Sequence, residues 1–402
     1  MPPNPTPYTY GNAIYSNGLS DERPRFPPHP HDWEPTAQAR LSADSFGYLH
    51  GSAGTGQTDE NNRAAFRRWG IAPSRLVAAD YPDLRTQLFG EEYPYPIALA
   101  PVGVQKIFHR DGEAAVARAA AEDHLPYILS TAASMSIEEA AAANGDQGRR
   151  WFQLYWPGQE DNAITASLLH RAQAAGYTVL VVTLDTYILG WRPSDLGNAY
   201  NPFLRADNVG VEIGFSDPVW RRRFREQHGM EVEEDLGTAA KEWAQTVFPG
   251  KSHGWEDLQF LKEHWKGPIV LKGIQTVRDA QLAVQHGMDG IVVSNHGGRQ
   301  QDGGVASLDV LPEIVDAVGE QIEVLFDSGV RCGADIVKAL ALGAKMVLIG
   351  RPYVYGLAMG GQAGVSHVLK CLLGDLDLTL HLSGVPSVKR EHLNRSILRE
   401  VK

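Results

Sequence analysis

The sequence predicts an α/β protein folded as a (β/α)8 barrel, the TIM-barrel class, and three observations predict it. Eight short β-rich runs succeed one another after residue 90, amphipathic helical stretches lie between them, and nearly every run is continuously apolar. Strand alternating with helix points to βαβ units, and unbroken apolarity is what parallel strands covered on both faces need. The runs fall at 97–100, 127–130, 151–155, 179–184, 269–272, 290–294, 324–327 and 346–349, with helical patterns at 111–123, 137–143, 162–175, 276–286 and 334–342. Eight units close a barrel. An open doubly wound sheet is the other reading of the alternation.

Spacing sets the remaining organisation. Most successive runs start 20 to 35 residues apart, but 90 residues separate Val179 from Ile269. The surplus, 191–255, is a long insertion after strand four. Such insertions sit on the catalytic face, so it reads as a lid or an oligomer contact in preference to a second domain. Its Arg221-Arg222-Arg223 run reads as a solvated helix face. Residues 1–90 are expected to form an N-terminal helical arm packed on the barrel, 91–386 the barrel itself, and 387–402 a C-terminal tail.

Composition narrows the partners. With 43% apolar and 21% charged residues the chain is globular, and its net charge of −11 speaks against a nucleic-acid binder. A local pocket can still oppose the global sign. Two cysteines, Cys332 and Cys371, exclude a disulfide framework and a Cys-rich zinc site. His29-Pro30-His31 lies in a Pro-rich segment with no supporting ligands, so no metal is expected. No run approaches the roughly eighteen apolar residues of a membrane span, and residues 1–35 lack a signal peptide's apolar core. A cytoplasmic protein is the expectation.

Chemistry in such barrels gathers at the carboxyl ends of strands. Read in order, those ends carry Pro101-Val102-Gly103, Ser130, Gln153 with Tyr155, Thr183 with Asp185, Lys272, Ser294 with His296 and Arg299, Asp327 with Gly329 and Arg331, and Gly350-Arg351. Polar side chains at seven of eight ends are hard to ascribe to packing. Gly329, Arg331, Gly350 and Arg351, on strands seven and eight, suit a phosphate, since glycine permits close backbone approach and arginine offers a forked donor. His296 is the natural proton acceptor, and Asp185 can orient its ring. Arg192 and Arg299 can hold a carboxylate. Lys272 is either a structural ion-pair donor or a charge that stabilises a reduced cofactor ring. Gly54-Thr55-Gly56 follows no strand and is not a dinucleotide fingerprint.

Ser294-Asn295-His296-Gly297-Gly298-Arg299-Gln300 resembles the signature of the FMN-dependent L-2-hydroxy acid oxidising enzymes. The resemblance continues through Tyr48 with Gly51-Ser52-Ala53-Gly54, Phe152-Gln153-Leu154-Tyr155, Leu271-Lys272-Gly273 and Asp327-Ser328-Gly329. Within the family it is nearest to the lactate 2-monooxygenases, through Gly190-Trp191-Arg192-Pro193-Ser194-Asp195-Leu196, Asn201-Pro202-Phe203-Leu204-Arg205, Asn12-Ala13-Ile14-Tyr15 with Gly18-Leu19, and Gly103 where oxidases of the family carry Ala. The missing methyl would leave room beside the flavin. Ala132 stands where glycolate oxidase has a bulky Trp, so chain-length preference stays open.

The resemblance implies FMN, a small 2-hydroxy acid and O2, and a homotetramer or larger homo-oligomer. Tyr48, Tyr155, Arg192, His296 and Arg299 would bind substrate, with His296, Asp185, Tyr155 and Lys272 catalytic. Pro101, Val102, Gly103, Ser130, Gln153, Thr183, Lys272 and Ser294 would meet the flavin ring, and Asp327, Gly329, Arg331, Gly350 and Arg351 the ribityl chain and phosphate. L-Lactate with O2 would yield acetate, CO2 and water; a plain oxidase would release the 2-oxo acid and hydrogen peroxide. Hydride and carbanion routes both fit. A flavin barrel acting on a phosphorylated substrate without net redox, or a retired barrel serving as a scaffold, would not need the Ser-Asn-His-Gly-Gly-Arg turn.

Overall fold

The computed structural model describes residues 6–204 and 209–401; Arg205 and Lys402 lie outside them. Eight strands, β1 (Ile97–Leu99), β2 (Tyr127–Ser130), β3 (Arg150–Tyr155), β4 (Val179–Thr183), β5 (Ile269–Ile274), β6 (Gly290–Val293), β7 (Glu323–Phe326) and β8 (Met346–Ile349), form a closed barrel. All neighbours in it are parallel, and β8 pairs with β1 to close the ring. The fold class is the (β/α)8 barrel. Alternate residues explain the unbroken apolarity. One file, including Ile97, Leu129, Phe152, Val182, Leu271, Ile291, Phe326 and Val347, packs in the large buried cluster that also holds helix residues. The other file, Ala98, Ile128, Trp151, Val179, Val181, Val270, Val292, Leu325, Met346 and Leu348, fills the barrel as a separate cluster.

The hairpin Thr86–Leu88 and Glu91–Tyr93 plugs the amino-terminal mouth, where Phe89 and Tyr93 meet Trp151 edge-on at ring-centroid distances of 6.0 Å. The arm contributes helices Thr9–Gly18, Pro30–Gln38, Ala43–His50 and Gln57–Arg67. Strand Trp69–Ile71 then pairs antiparallel with Leu398–Glu400, which ties the arm to the far end of the chain. Among the described residues no helix is long and apolar enough to cross a membrane.

Between β4 and β5 the chain forms its own small core. Helices Pro218–His228 and Leu236–Val247 bring Trp220, Phe224 and Trp243 together with Phe215, all buried. The arginine run departs from its solvated reading. Arg222 is exposed, but Arg221 forks onto Glu233 at 2.8 Å and Arg223 pairs with Asp161 and with Thr246. One Arg is solvated because a helix turns its neighbours toward different partners.

Trp151 has no accessible surface and spans the lowest layer of the interior. Trp151→Ala should therefore cost about 3–5 kcal/mol through the void it leaves. The drop in the chemical denaturation midpoint measures it.

Candidate active site

The inward file changes character at the carboxyl end of nearly every strand. Two residues beyond the apolar layer it carries Ser130, Gln153, Thr183, Lys272, Ser294 and Asp327, each at most 7% exposed. They bond laterally. Ser130 Oγ donates to Gln153 Oε1 at 2.9 Å, and Gln153 Nε2 donates to Thr183 Oγ1 at 3.0 Å. Lys272 Nζ donates to Ser294 Oγ at 3.0 Å and lies 3.3 Å from Asp327 Oδ2. Burial alone would lower the Lys272 pKa, but the Asp327 and Asp185 carboxylates raise it, so the ammonium stays charged in the floor of the site.

Above this floor lies a cavity lined by Pro101, Val102, Gly103, Tyr155, Lys272 and Asp327 from the strand ends and by Tyr48, Leu189, Phe203 and Phe248. His296 lines it from a one-turn helix after β6, with φ of 60° followed by left-handed Gly297 and Gly298. Asn295 Oδ1 accepts from Gly298 N at 3.2 Å and fixes that turn. His296 Nδ1 lies 2.8 Å from Asp185 Oδ1, and Thr186 Oγ1 is 2.8 Å from the same oxygen. Gly273 makes room for Asp185. It sits in a β-bulge of β5 at φ 106°, and a Cβ there would come within 3.0 Å of Asp185 Oδ2.

Burial favours the uncharged imidazole and lowers the His296 pKa below 6.5, with Lys272 and Arg192 lowering it further against the pull of Asp185. Burial would raise Asp185, yet the His296 and Lys272 charges and the bonds from His296 and Thr186 hold it well below the ordinary carboxylate range. With Nδ1–H donating to an ionised Asp185, Nε2 is left as the acceptor.

Arg192 and Arg299 converge on the other side. Their guanidinium carbons stand 5.8 and 4.9 Å from the Tyr48 ring centroid. Arg192 Nη2 donates to Gln300 Oε1 at 2.6 Å, and Arg299 Nη1 to the Gly51 carbonyl at 2.8 Å. Burial and the neighbouring Arg192 push Arg299 down to about 10. Two cations this close, Arg192 buried and Arg299 half-buried, with Asp195 at 4.0 Å from Arg192 their only ion-pair partner among the described residues, are arranged for an anion. Tyr155 is buried against Phe248, and burial pushes its hydroxyl pKa well up, so it stays a neutral donor.

The phosphate-type residues also line this cavity. Gly329 has φ of 90°, and a Cβ there would meet the Asn62 carbonyl at 2.7 Å. The N–H groups of Gly329, Val330 and Gly350 have no backbone partner among the described residues. Arg331 makes one side-chain bond, to its neighbour's carbonyl, and burial lowers its pKa. Arg351 is more committed, donating to the carbonyls of Leu49, His50, Gly51 and Gly297. Free amides and an unneutralised guanidinium at one end, and a polar ring at the other, fit a phosphorylated flavin.

One expectation is corrected. A methyl on Gly103 would not occupy free space beside the ring; it would strike the Ala132 carbonyl at 2.5 Å. Gly103 is set by the close approach of the loops after β1 and β2.

Sequence reasoning passed over several groups. Gln300 joins Arg192 to the carbonyls of Asp185 and Ile188. Ser328 Oγ holds Gly297 N at 3.0 Å. Asn62 and Asn295 exchange amide bonds of 2.8 and 2.7 Å, fastening the arm to the His296 turn. Phe248 closes the cavity from the insertion. Gln300 and Ser328 stood beside singled-out residues; Asn62 and Phe248 carried no local signal.

A barrel whose strand ends combine free amides beside arginines, a buried lysine in a polar ring, and a His–Asp couple beside paired arginines has the make-up of a flavin oxidoreductase. The profile of the family described as FMN-dependent dehydrogenase matches residues 37–400. The chain is 60% identical over 392 residues to an FMN-dependent alpha-hydroxy acid dehydrogenase of Schizosaccharomyces pombe, covering 98% of this chain and 96% of that protein. It is 40% identical over 361 residues to an L-lactate oxidase of Lysinibacillus sphaericus, with 89% of each covered. A crystal structure of mandelate oxidase matches with a TM-score of 0.78 at 36% identity, covering 90% of this chain and 96% of that one. The chain belongs to the FMN-dependent dehydrogenase family, whose reaction is the oxidation of 2-hydroxy acids, and FMN is its cofactor.

The paired arginines give a direct test. Oxalate should raise the thermal unfolding midpoint of the wild type. Arg299→Met should weaken oxalate binding by about 10- to 100-fold, the equivalent of one charge-assisted hydrogen bond, read by titration calorimetry.

Proposed function

We propose that this protein oxidises an L-2-hydroxy acid, with L-lactate the first candidate, and delivers the electrons to O2. The observation that carries the reading is the neutral His296, braced by Asp185, in the same cavity as the Arg192 and Arg299 pair. The two arginines and Tyr48 hold the substrate carboxylate, and Tyr155 donates to its hydroxyl. His296 Nε2 takes a proton from the hydroxyl, or from C2 in the alternative route, and Asp185 stabilises the imidazolium that results. FMN, when bound, supplies the two-electron acceptor. Ser130, Gln153, Thr183 and Ser294 hold its ring, with the Pro101–Val102–Gly103 backbone alongside. Lys272 keeps a positive charge beneath it, where a buried site makes that charge count most. Asp327 meets the ribityl chain; Gly329, Arg331, Gly350 and Arg351 surround the phosphate.

The fate of oxygen is the finer part of the proposal. Phe203 and Phe248, carried by the insertion, cover the cavity beside Leu189 and would slow the departure of pyruvate. That supports the 2-monooxygenase outcome, in which lactate and O2 give acetate, CO2 and water, over release of pyruvate and hydrogen peroxide. The exposed apolar residues Tyr187, Ile188, Trp191, Leu196 and Leu204 around the start of the insertion support a homo-oligomer, proposed here as a tetramer or larger.

Anaerobic mixing with L-lactate should bleach the flavin, and admitting oxygen should then yield acetate and CO2; stoichiometric pyruvate and peroxide would make the enzyme an oxidase. His296→Gln should slow flavin reduction by at least ~10²–10⁴-fold; bleaching at the wild-type rate would remove His296 from its role. Because the base must be unprotonated and its pKa lies below 6.5, kcat/KM should hold through neutrality and fall only as pH drops below that value.

A further inference from the structure

Glu113 has no place in the chemistry above, yet it has no accessible surface. It sits in the first turn of helix Gly112–Glu122, behind the cavity wall. Its Oε1 accepts three hydrogen bonds, from Gln105 N at 3.1 Å, Ser134 N at 2.8 Å and Ser134 Oγ at 3.3 Å. These donors belong to different loops, one after β1 and one after β2. The loops also meet directly, where Val104 N donates to the Ala132 carbonyl at 2.9 Å and Lys106 N to Ser134 Oγ at 3.2 Å.

The front of the first loop, Ala100 to Gly103, is cavity wall. Its carbonyls are drawn away on the other side. Tyr353 Oη donates to the Ala100 carbonyl at 2.8 Å and Gln105 Nε2 to that of Val102 at 2.9 Å. The N–H groups of Val102 and Gly103 keep no backbone partner among the described residues. Among the described residues Glu113 is thus the one carboxyl that joins the backs of both loops.

We propose that Glu113 is a positioning residue for FMN, clamping the loops after β1 and β2 from behind so that the Val102 and Gly103 amides stay fixed on the flavin-facing wall. The inference rests on FMN filling the cavity and not on which acid is oxidised. Burial raises the Glu113 pKa above the ordinary carboxylate value, against the hydrogen bonds from Ser134 and Gln105. Among the described residues no cation bonds to Glu113, and its ionisable neighbours are the buried Tyr127 and Tyr353 hydroxyls. Its Oε2 has no hydrogen-bond partner among the described residues, so the clamp works through Oε1 alone.

The test is FMN titration of the apoproteins of wild type, E113Q, E113D and E113A, followed by fluorescence quenching, with the visible spectrum of each reloaded protein. E113Q keeps an acceptor oxygen at the same reach, so its Kd should stay within about 3-fold of wild type. E113A should weaken FMN by about 10-fold or more and alter the visible band shape while the protein remains folded. E113D, too short to span both loops, should fall between and decides the matter if E113A does not fold. Wild-type FMN affinity and spectrum in E113A or E113D, whatever their melting temperature, would reduce Glu113 to a stabilising residue and overturn the proposal. So would an E113Q protein as impaired as E113A, since its amide oxygen keeps the acceptor on which the clamp depends.

Discussion

A closed barrel has a single interior, and each strand sends every second side chain into it. That constraint decides where this protein keeps both its stability and its chemistry. From Trp151 upward the shared file is apolar and packed; two residues further along, the same file becomes Ser130, Gln153, Thr183, Lys272, Ser294 and Asp327. The polar ring is therefore rigid without being on a separate scaffold, because each member inherits its position from the apolar layer below. Shifting one strand by a residue would turn its polar end outward and break the lateral bonds at once.

Onto that ring the loops bring charge of one sign. Lys272, Arg192, Arg299, Arg331 and Arg351 line one cavity of a protein whose net charge is −11. Carboxylates compensate selectively. Asp327 and Asp185 keep Lys272 protonated, and Asp185 braces His296, while Arg299 is left under the repulsion of Arg192. Anionic ligands would relieve the cost of holding unneutralised cations in a dry site, which is the part we propose for cofactor phosphate and substrate carboxylate.

Much of this was legible in the chain. All eight strands stand where the apolar runs put them, and every strand-end residue singled out for chemistry lines the cavity, belongs to the polar ring or braces His296. They could be read because a parallel strand buried on both faces leaves an unmistakable run and because its carboxyl end needs no tertiary information to locate. The groups that hold the site together were not readable in the same way. Asn62 reaches Asn295 across 233 residues, and Gln300 reaches Asp185 across 115. Gly103 was read as spare room, when its missing Cβ is what lets two loops touch. Arg222 fits the solvated reading; Arg221 and Arg223, one position to either side, do not.

What the sequence by itself determined was the number of strands, the chemical identity of the group at each strand end and the family those groups signal. Tertiary structure decided which groups meet and in what state. His296 and Asp185 lie 111 residues apart, yet burial lowers the His296 pKa against the pull of Asp185, and their 2.8 Å contact helps hold Asp185 ionised. The physical reason is that strand identity is a local property of side-chain pattern, whereas hydrogen bonding, desolvation and Coulomb attraction depend on distance in space.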